Sequence, residues 1–165
     1  ASLKNVPILF VCENNFYSVY SQLDVRQAPG REISVLAKSH GIKSFTGDGN
    51  NIDQVSDLTK EAIKYIKSNN SPAFIELETF RWLEHCGPNG DDDLGYRKKG
   101  ELDQWVKRDP IDSYKSRMIK NHKLTEKEII ENIEVIRTEI DEAFKFAKES
   151  PFPDQSILNQ DIYKD

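Results

Sequence analysis

Two short stretches concentrate the residue types that could do chemistry. The first is Glu13-Asn14-Asn15-Phe16-Tyr17, an acid, two carboxamides and two aromatics set directly after an uncharged run at 7–12. The second runs from Arg81 through His85 and Cys86 to Asp91-Asp92-Asp93 and Tyr96-Arg97, in a segment rich in Gly, Asp and Asn. An apolar run this short, ended by polar residues, reads as a strand buried on both faces. The polar cluster then falls at its carboxyl end, the edge of an open α/β sheet where ligands bind. Taken alone, Asn-Asn after a strand is a turn, since Asn is favoured there. A lone loop histidine is a surface residue. Three consecutive acids are a solvated loop, because adjacent side chains rarely converge on one ion.

The elements that must position these groups follow from pattern. Residues 7–12 form the first strand, and 16–30 a loop ending in Ala28-Pro29-Gly30. A short helix over 31–40 stops at Gly41. A strand over 42–45 leads to the turn Gly47-Asp48-Gly49-Asn50-Asn51. Asp53 caps a helix over 54–68 whose buried face is Val55, Leu58, Ala62, Tyr65 and Ile66. Residues 73–79 are the second clear strand. Strand, helix, strand implies parallel pairing through a right-handed crossover. After the 83–100 loop the chain turns helical, over 101–107 and then from Asp109-Pro110 to Met118. Thr125-Glu126-Lys127-Glu128 is a capping box opening a long helix with the stripe Ile129, Ile133, Ile136, Ile140, Phe144 and Ala147. Ser150-Pro151 ends it, and Ile157, Leu158, Ile162 and Tyr163 make an apolar tail. The fold class is therefore α/β, a parallel sheet flanked by helices, with a helical C-terminal region.

Composition narrows the class of function. The 165 residues carry a net charge of −5, which argues against a nucleic-acid surface. No apolar stretch approaches the roughly 20 residues of a membrane helix, and the first residues do not form a signal peptide. Cys12 and Cys86 show no metal spacing, and Cys12 reads as a buried strand-end thiol, which favours a reducing compartment. Tyr114, Trp105 and Met118 fall at core spacings, His40 at a helix end and His122 in a helix linker, both structural.

The ordered set of Pro-Ile-Leu-Phe-Val-Cys-Glu-Asn-Asn at 7–15, Gly41-Ile42, Asp48-Gly49-Asn50, Glu76-Leu77-Glu78-Thr79-Phe80-Arg81, His85, Asp92-Asp93, Tyr96-Arg97, Asp109-Pro110-Ile111 and Asp161-Ile162-Tyr163 resembles one family. It is the alpha subunit of the thiamine-diphosphate-dependent component of 2-oxo acid dehydrogenase complexes, which act on pyruvate, branched-chain 2-oxo acids or acetoin. The resemblance covers nearly the whole chain but only the C-terminal half or so of such a subunit. It implies a thiamine-diphosphate-binding fold: residues 1–82 as the diphosphate and Mg²⁺ part, 83–100 as an active-site loop, 101–165 as a helical part. It implies an oxidoreductase using thiamine diphosphate and Mg²⁺.

By the family pattern, Asn15 gives Mg²⁺ its side-chain oxygen and Tyr17 its main-chain carbonyl. His85 is the catalytic and cofactor-contacting histidine, and Arg81, Tyr96 and Arg97 order the loop. Arg97 is expected to pair with one of the acids at 91–93. The family's Gly-Asp-Gly, with a further metal-binding Asp, falls upstream of Ala1, and Gly47-Asp48-Gly49 is a structural turn. The isolated chain is then expected to be inactive. Cys86 stands where some regulated relatives carry a phosphorylated serine, so no phospho-switch is expected there. The implied partners are a beta subunit in an alpha2beta2 heterotetramer, a lipoyl acyltransferase, and a small 2-oxo acid or acyloin, in a bacterial cytoplasm or a mitochondrial matrix. Two alternatives stay open: another thiamine-diphosphate lyase or transketolase-like enzyme, and a non-catalytic fragment.

Overall fold

The computed structural model describes residues 1–160. They fall into two compact units, Ala1–Arg117 and the chain from Met118 onward. In the first unit β1 (Leu9–Asn14) runs into a hairpin of β2 (Tyr17–Ser18) and β3 (Ser21–Gln22). Then come α1 (Ile33–Ser39), β4 (Lys43–Asp48), α2 (Ile52–Asn69) and β5 (Ala73–Glu78). β1, β5 and β4 form a parallel sheet in that order, with β5 central. The register pairs Asn14 with Glu78 and Asp48 with Glu78, so the three strands end level and make one polar rim.

Alternation along β5 sends its side chains to two faces. Ala73, Ile75 and Leu77 pack on Ala62 and Ile66 of α2, with Leu9, Phe45, Val55, Leu58 and Tyr65 at the margin. Glu76 points to the other face, where its carboxylate meets the first turn of α1. The expected architecture, an open parallel sheet flanked by helices with a helical C-terminal region, is the one observed. α3 (Glu101–Val106) and α4 (Pro110–Lys120) follow the loop. In the second unit α5 (Glu126–Glu149) opens on a complete capping box between Thr125 and Glu128, whose bonds hold the Glu128 carboxyl below its ordinary range. The stripe residues Ile133, Ile136, Ile140 and Phe144 are exposed. No helix among the described residues is long and apolar enough to cross a membrane. Ile162 and Tyr163, expected in the apolar tail, lie outside the described residues, as does Asp161.

Several local expectations need correction. β1 is an edge strand and is not buried on both faces: Phe10 and Val11 are exposed, and Leu9 reaches the core. Cys12 is half-buried and, like Cys86, a free thiol. The segment 16–30 holds the β2–β3 hairpin and a short 3-10 turn at Leu23–Val25. β4 runs through Asp48, past the expected end at 45, and the expected turn follows at Gly49-Asn50, closed by Asn51 N–H donating to the Asp48 carbonyl at 3.2 Å. A Cβ on Gly47 would sit 2.5 Å from Leu58 Cδ1, and one on Gly49 would sit 2.7 Å from the Glu78 carbonyl oxygen. α2 is capped by Asn51, whose side chain accepts from Gln54 N–H, while Asp53 pairs with Arg117 at 2.7 Å.

Ile75 is 1% exposed at the centre of the core. Ile75→Ala is expected to cost about 2–5 kcal/mol in chemical denaturation. Val11→Ala, on the open edge, should stay within about 1 kcal/mol.

Candidate functional site

The rim is built around two successive side-chain-to-backbone turns. Asn14 Oδ1 accepts from Phe16 N–H at 3.1 Å, and Asn15 Oδ1 accepts from Tyr17 N–H at 3.0 Å. Such turns are a property of Asn side chains. They hold Phe16 at φ 63°, a left-handed conformation that non-glycine residues seldom adopt. Leu23 N–H donates to the Phe16 carbonyl at 3.0 Å, which makes 16 and 23 a hydrogen-bonded pair. The next pair, Tyr17 with Gln22, is then of the non-hydrogen-bonded kind. Both Tyr17 backbone groups therefore turn away from β3. The N–H is taken by Asn15, and the carbonyl leaves from the same edge of the hairpin. An amide oxygen has a second lone pair after accepting one bond. The donor set is two hard, uncharged oxygens on one edge, which suits part of a Mg²⁺ shell. Among the described residues no group of three His, Cys, Asp or Glu side chains is placed to hold a metal.

The Tyr17 side chain points into a second structure, the anchored loop. Its ring meets Phe80 and Tyr96 edge-on, at 6.0 and 5.5 Å between centroids, and its hydroxyl donates to Glu101. Burial first, then the bond to Glu101, pushes the Tyr17 phenol well above its ordinary range. The Arg97 guanidinium lies over Phe80 at 4.9 Å and over Tyr96 at 5.4 Å. Asp91, fully buried, pairs with Arg97 at 2.8 Å and Arg81 at 3.3 Å, and accepts the Tyr96 hydroxyl. Arg81 also donates to the Val19 carbonyl at 3.0 Å and to the Tyr96 oxygen at 2.8 Å. Burial, then the bond to Asp91, raises the Tyr96 phenol, while the two arginines pull it down. Two cations surround one carboxylate, so the loop is fastened to the hairpin by charge out of water, where pairing is obligatory.

A polar rim at the carboxyl ends of parallel strands, with an arginine-fastened loop beside it, agrees with the sequence comparison. The family model described as "Dehydrogenase E1 component" matches residues 1–156. The chain belongs to this dehydrogenase E1 family. It is similar to the pyruvate dehydrogenase E1 component subunit alpha of Rickettsia felis, 30% identical over 163 residues, 99% of this chain and 49% of that protein. The testis-specific mitochondrial form of the human subunit is 32% identical over 164 residues, 99% of this chain and 41% of that protein. The mitochondrial 2-oxoisovalerate dehydrogenase subunit alpha of Mus musculus is 31% identical over 166 residues, covering 100% of this chain and 37% of that protein. The chain thus spans about half the length, or less, of these curated relatives. Relatives named for two different 2-oxo acids match it about equally, so identity does not select between them.

Within this E1-family chain, the structure brings Arg81, Tyr96 and Arg97 into one cluster and joins Asn15 to it through Tyr17. His85 is exposed on the loop, and no hydrogen bond or ion pair ties it to that cluster among the described residues. The solvated-loop expectation describes Asp92 and Asp93, which are exposed, but not Asp91. The expected pairing of Arg97 with one of the acids at 91–93 is present, with Asp91 as the partner. Sequence reasoning did not single out Asp91 and missed Glu76 and Glu101 as site-forming residues. A charge inside the apolar run 73–77 was the available signal for Glu76, since a buried charge requires partners. Nothing in the run of three acids marks Asp91 off from its neighbours.

Asp91→Ala leaves two arginines beside an empty place and is expected to cost about 3–5 kcal/mol. Limited trypsin digestion read by mass spectrometry should then cut after Arg81 and Arg97 at sites the parent protects. Asp92→Ala should leave the digestion pattern unchanged.

Proposed function

We propose that this chain is the diphosphate- and metal-binding half of a thiamine-diphosphate-dependent 2-oxo acid dehydrogenase alpha subunit. The observation that carries this is the shared edge of the Asn15 carboxamide and the Tyr17 carbonyl at the carboxyl end of a parallel sheet. Family membership supports the same reading. Residues 1–82 would hold the diphosphate end, 83–100 the active-site loop, and 101–165 the helical remainder.

Asn15 and Tyr17 would hold Mg²⁺, which takes about six oxygens, so two protein donors leave room for phosphate oxygens and water. Both donors are uncharged, so the full charge of the cation remains available to a diphosphate. Bound thiamine diphosphate would supply a nucleophilic carbon and an electron sink for cleavage next to the substrate carbonyl. His85, exposed on the loop, is free to reach a bound diphosphate and donate a hydrogen bond. Arg81, Tyr96 and Arg97 would keep that loop ordered around Asp91. The acyl product would pass to a lipoyl acyltransferase, and a beta subunit would complete the site in an alpha2beta2 assembly. The exposed apolar residues of β1 and of the α5 stripe support further protein covering those surfaces.

In the assembled enzyme, Asn15→Ala is expected to weaken Mg²⁺-dependent thiamine diphosphate binding by more than about 100-fold in calorimetry. Turnover should be lost, with circular dichroism and the unfolding midpoint unchanged. Parent-like binding by this variant would remove the metal assignment.

A further inference from the structure

Glu76 is a buried carboxylate in the central strand, and both its oxygens are committed. Oε1 accepts from Asn14 Nδ2 at 2.8 Å. Oε2 accepts from the Ser34 backbone N–H at 2.8 Å, in the first turn of α1, whose N-cap residue Glu32 makes no capping bond of its own. Asn14 in turn accepts from Phe16 N–H through its Oδ1. The bonds therefore run in one direction, from the backbone of residue 16 through the Asn14 amide to the Glu76 carboxylate.

We propose that Glu76 is a positioning residue for the metal rim. It fixes the Asn14 amide, which holds Phe16 in its left-handed conformation and so sets where the Tyr17 carbonyl and the Asn15 carboxamide face. This rests on the reading of Asn15 and Tyr17 as the Mg²⁺ donors. The chemistry requires a carboxylate at 76, because both neighbours that face it are donors. A glutamine there would set its own NH₂ against either the Asn14 NH₂ or the Ser34 N–H. Partners one bond removed from a metal ligand commonly govern affinity through orientation alone.

The polarity of the chain provides the test, in the assembled enzyme titrated with Mg²⁺ by calorimetry at saturating thiamine diphosphate. Glu76→Gln is expected to weaken Mg²⁺ binding about 10- to 100-fold. Its kcat at saturating Mg²⁺ should fall far less. Asn14→Ala breaks the link to the rim while leaving the bond from Glu76 to α1. It should weaken Mg²⁺ similarly while keeping the parent's circular dichroism, so the proposal is testable even if Glu76→Gln folds poorly. Asn14→Asp should also weaken binding, although an added negative charge near a cation would by itself tighten it. The double variant Glu76→Gln with Asn14→Asp reverses donor and acceptor. The new glutamine donates to the new aspartate and still accepts from Ser34, and the aspartate accepts from Phe16. It should recover most of the lost affinity. Parent-like Mg²⁺ binding by Asn14→Ala, or a double variant no better than the single ones, would overturn the positioning role. Asn15→Ala separates the two readings. If it loses Mg²⁺ while Asn14→Ala keeps it, positioning by Glu76 falls and the donor assignment stands. If Asn15→Ala also keeps it, the donor assignment itself falls.

Discussion

Two carboxylates out of water fix the geometry of this protein. A buried negative charge is tolerated where donors surround it, and the donors must then stay where they are. Asp91 is met by Arg81, Arg97 and the Tyr96 hydroxyl. Glu76 is met by the Asn14 amide and the Ser34 N–H. Asp91 fastens an 18-residue segment, 83–100, that has little regular structure, and Glu76 ties the end of an edge strand to a short helix. Apolar burial could not do either job, because both segments are polar and glycine-rich or lie at the sheet's boundary.

Tyr17 joins the two systems. Its backbone belongs to the rim, where its N–H is held by Asn15 and its carbonyl faces outward. Its ring belongs to the loop cluster, packed edge-on against Phe80 and Tyr96 and hydrogen-bonded to Glu101. A shift of the loop therefore acts on the ring of the residue whose peptide carries the proposed metal donor. The αL conformation of Phe16 makes that joint stiff, since a left-handed aromatic residue has few alternative conformations available.

How much of this the sequence shows depends on the range of the interaction. The capping box at Thr125 and the apolar run at 73–77 are local patterns, and both appear as read. The face of α2 follows from a 3.6-residue period over eighteen residues. The Asp-Gly turn appears as read at Asp48–Asn51, but the strand before it runs on through Gly47 and Asp48, where Gly47 answers to Leu58 and Gly49 to Glu78, contacts that no local window contains. The same reason hides the site. Asn14 and Glu76 are 62 residues apart, and Tyr17 and Glu101 are 84 apart. Asn15 and Tyr17 stand out in the sequence through an ordered family resemblance, and Asp91 looks like either of its acidic neighbours until its burial is known.

The position of the rim bears on the proposed metal site. Asn14 ends β1, and β1 is the edge of the sheet, with Val11 55% exposed. Parallel sheets are normally covered on both faces and continued by further strands or helices. A ligand held at the end of an edge strand has this chain on one side of it and open space on the other. Two uncharged oxygens are too few for a magnesium ion but are what one wall of a shared site would contribute. A parallel strand added past β1 would carry its own carboxyl end to the same rim. On the proposed reading, the exposed apolar residues of β1 and the contribution of only two oxygens both follow from placement at the sheet's edge.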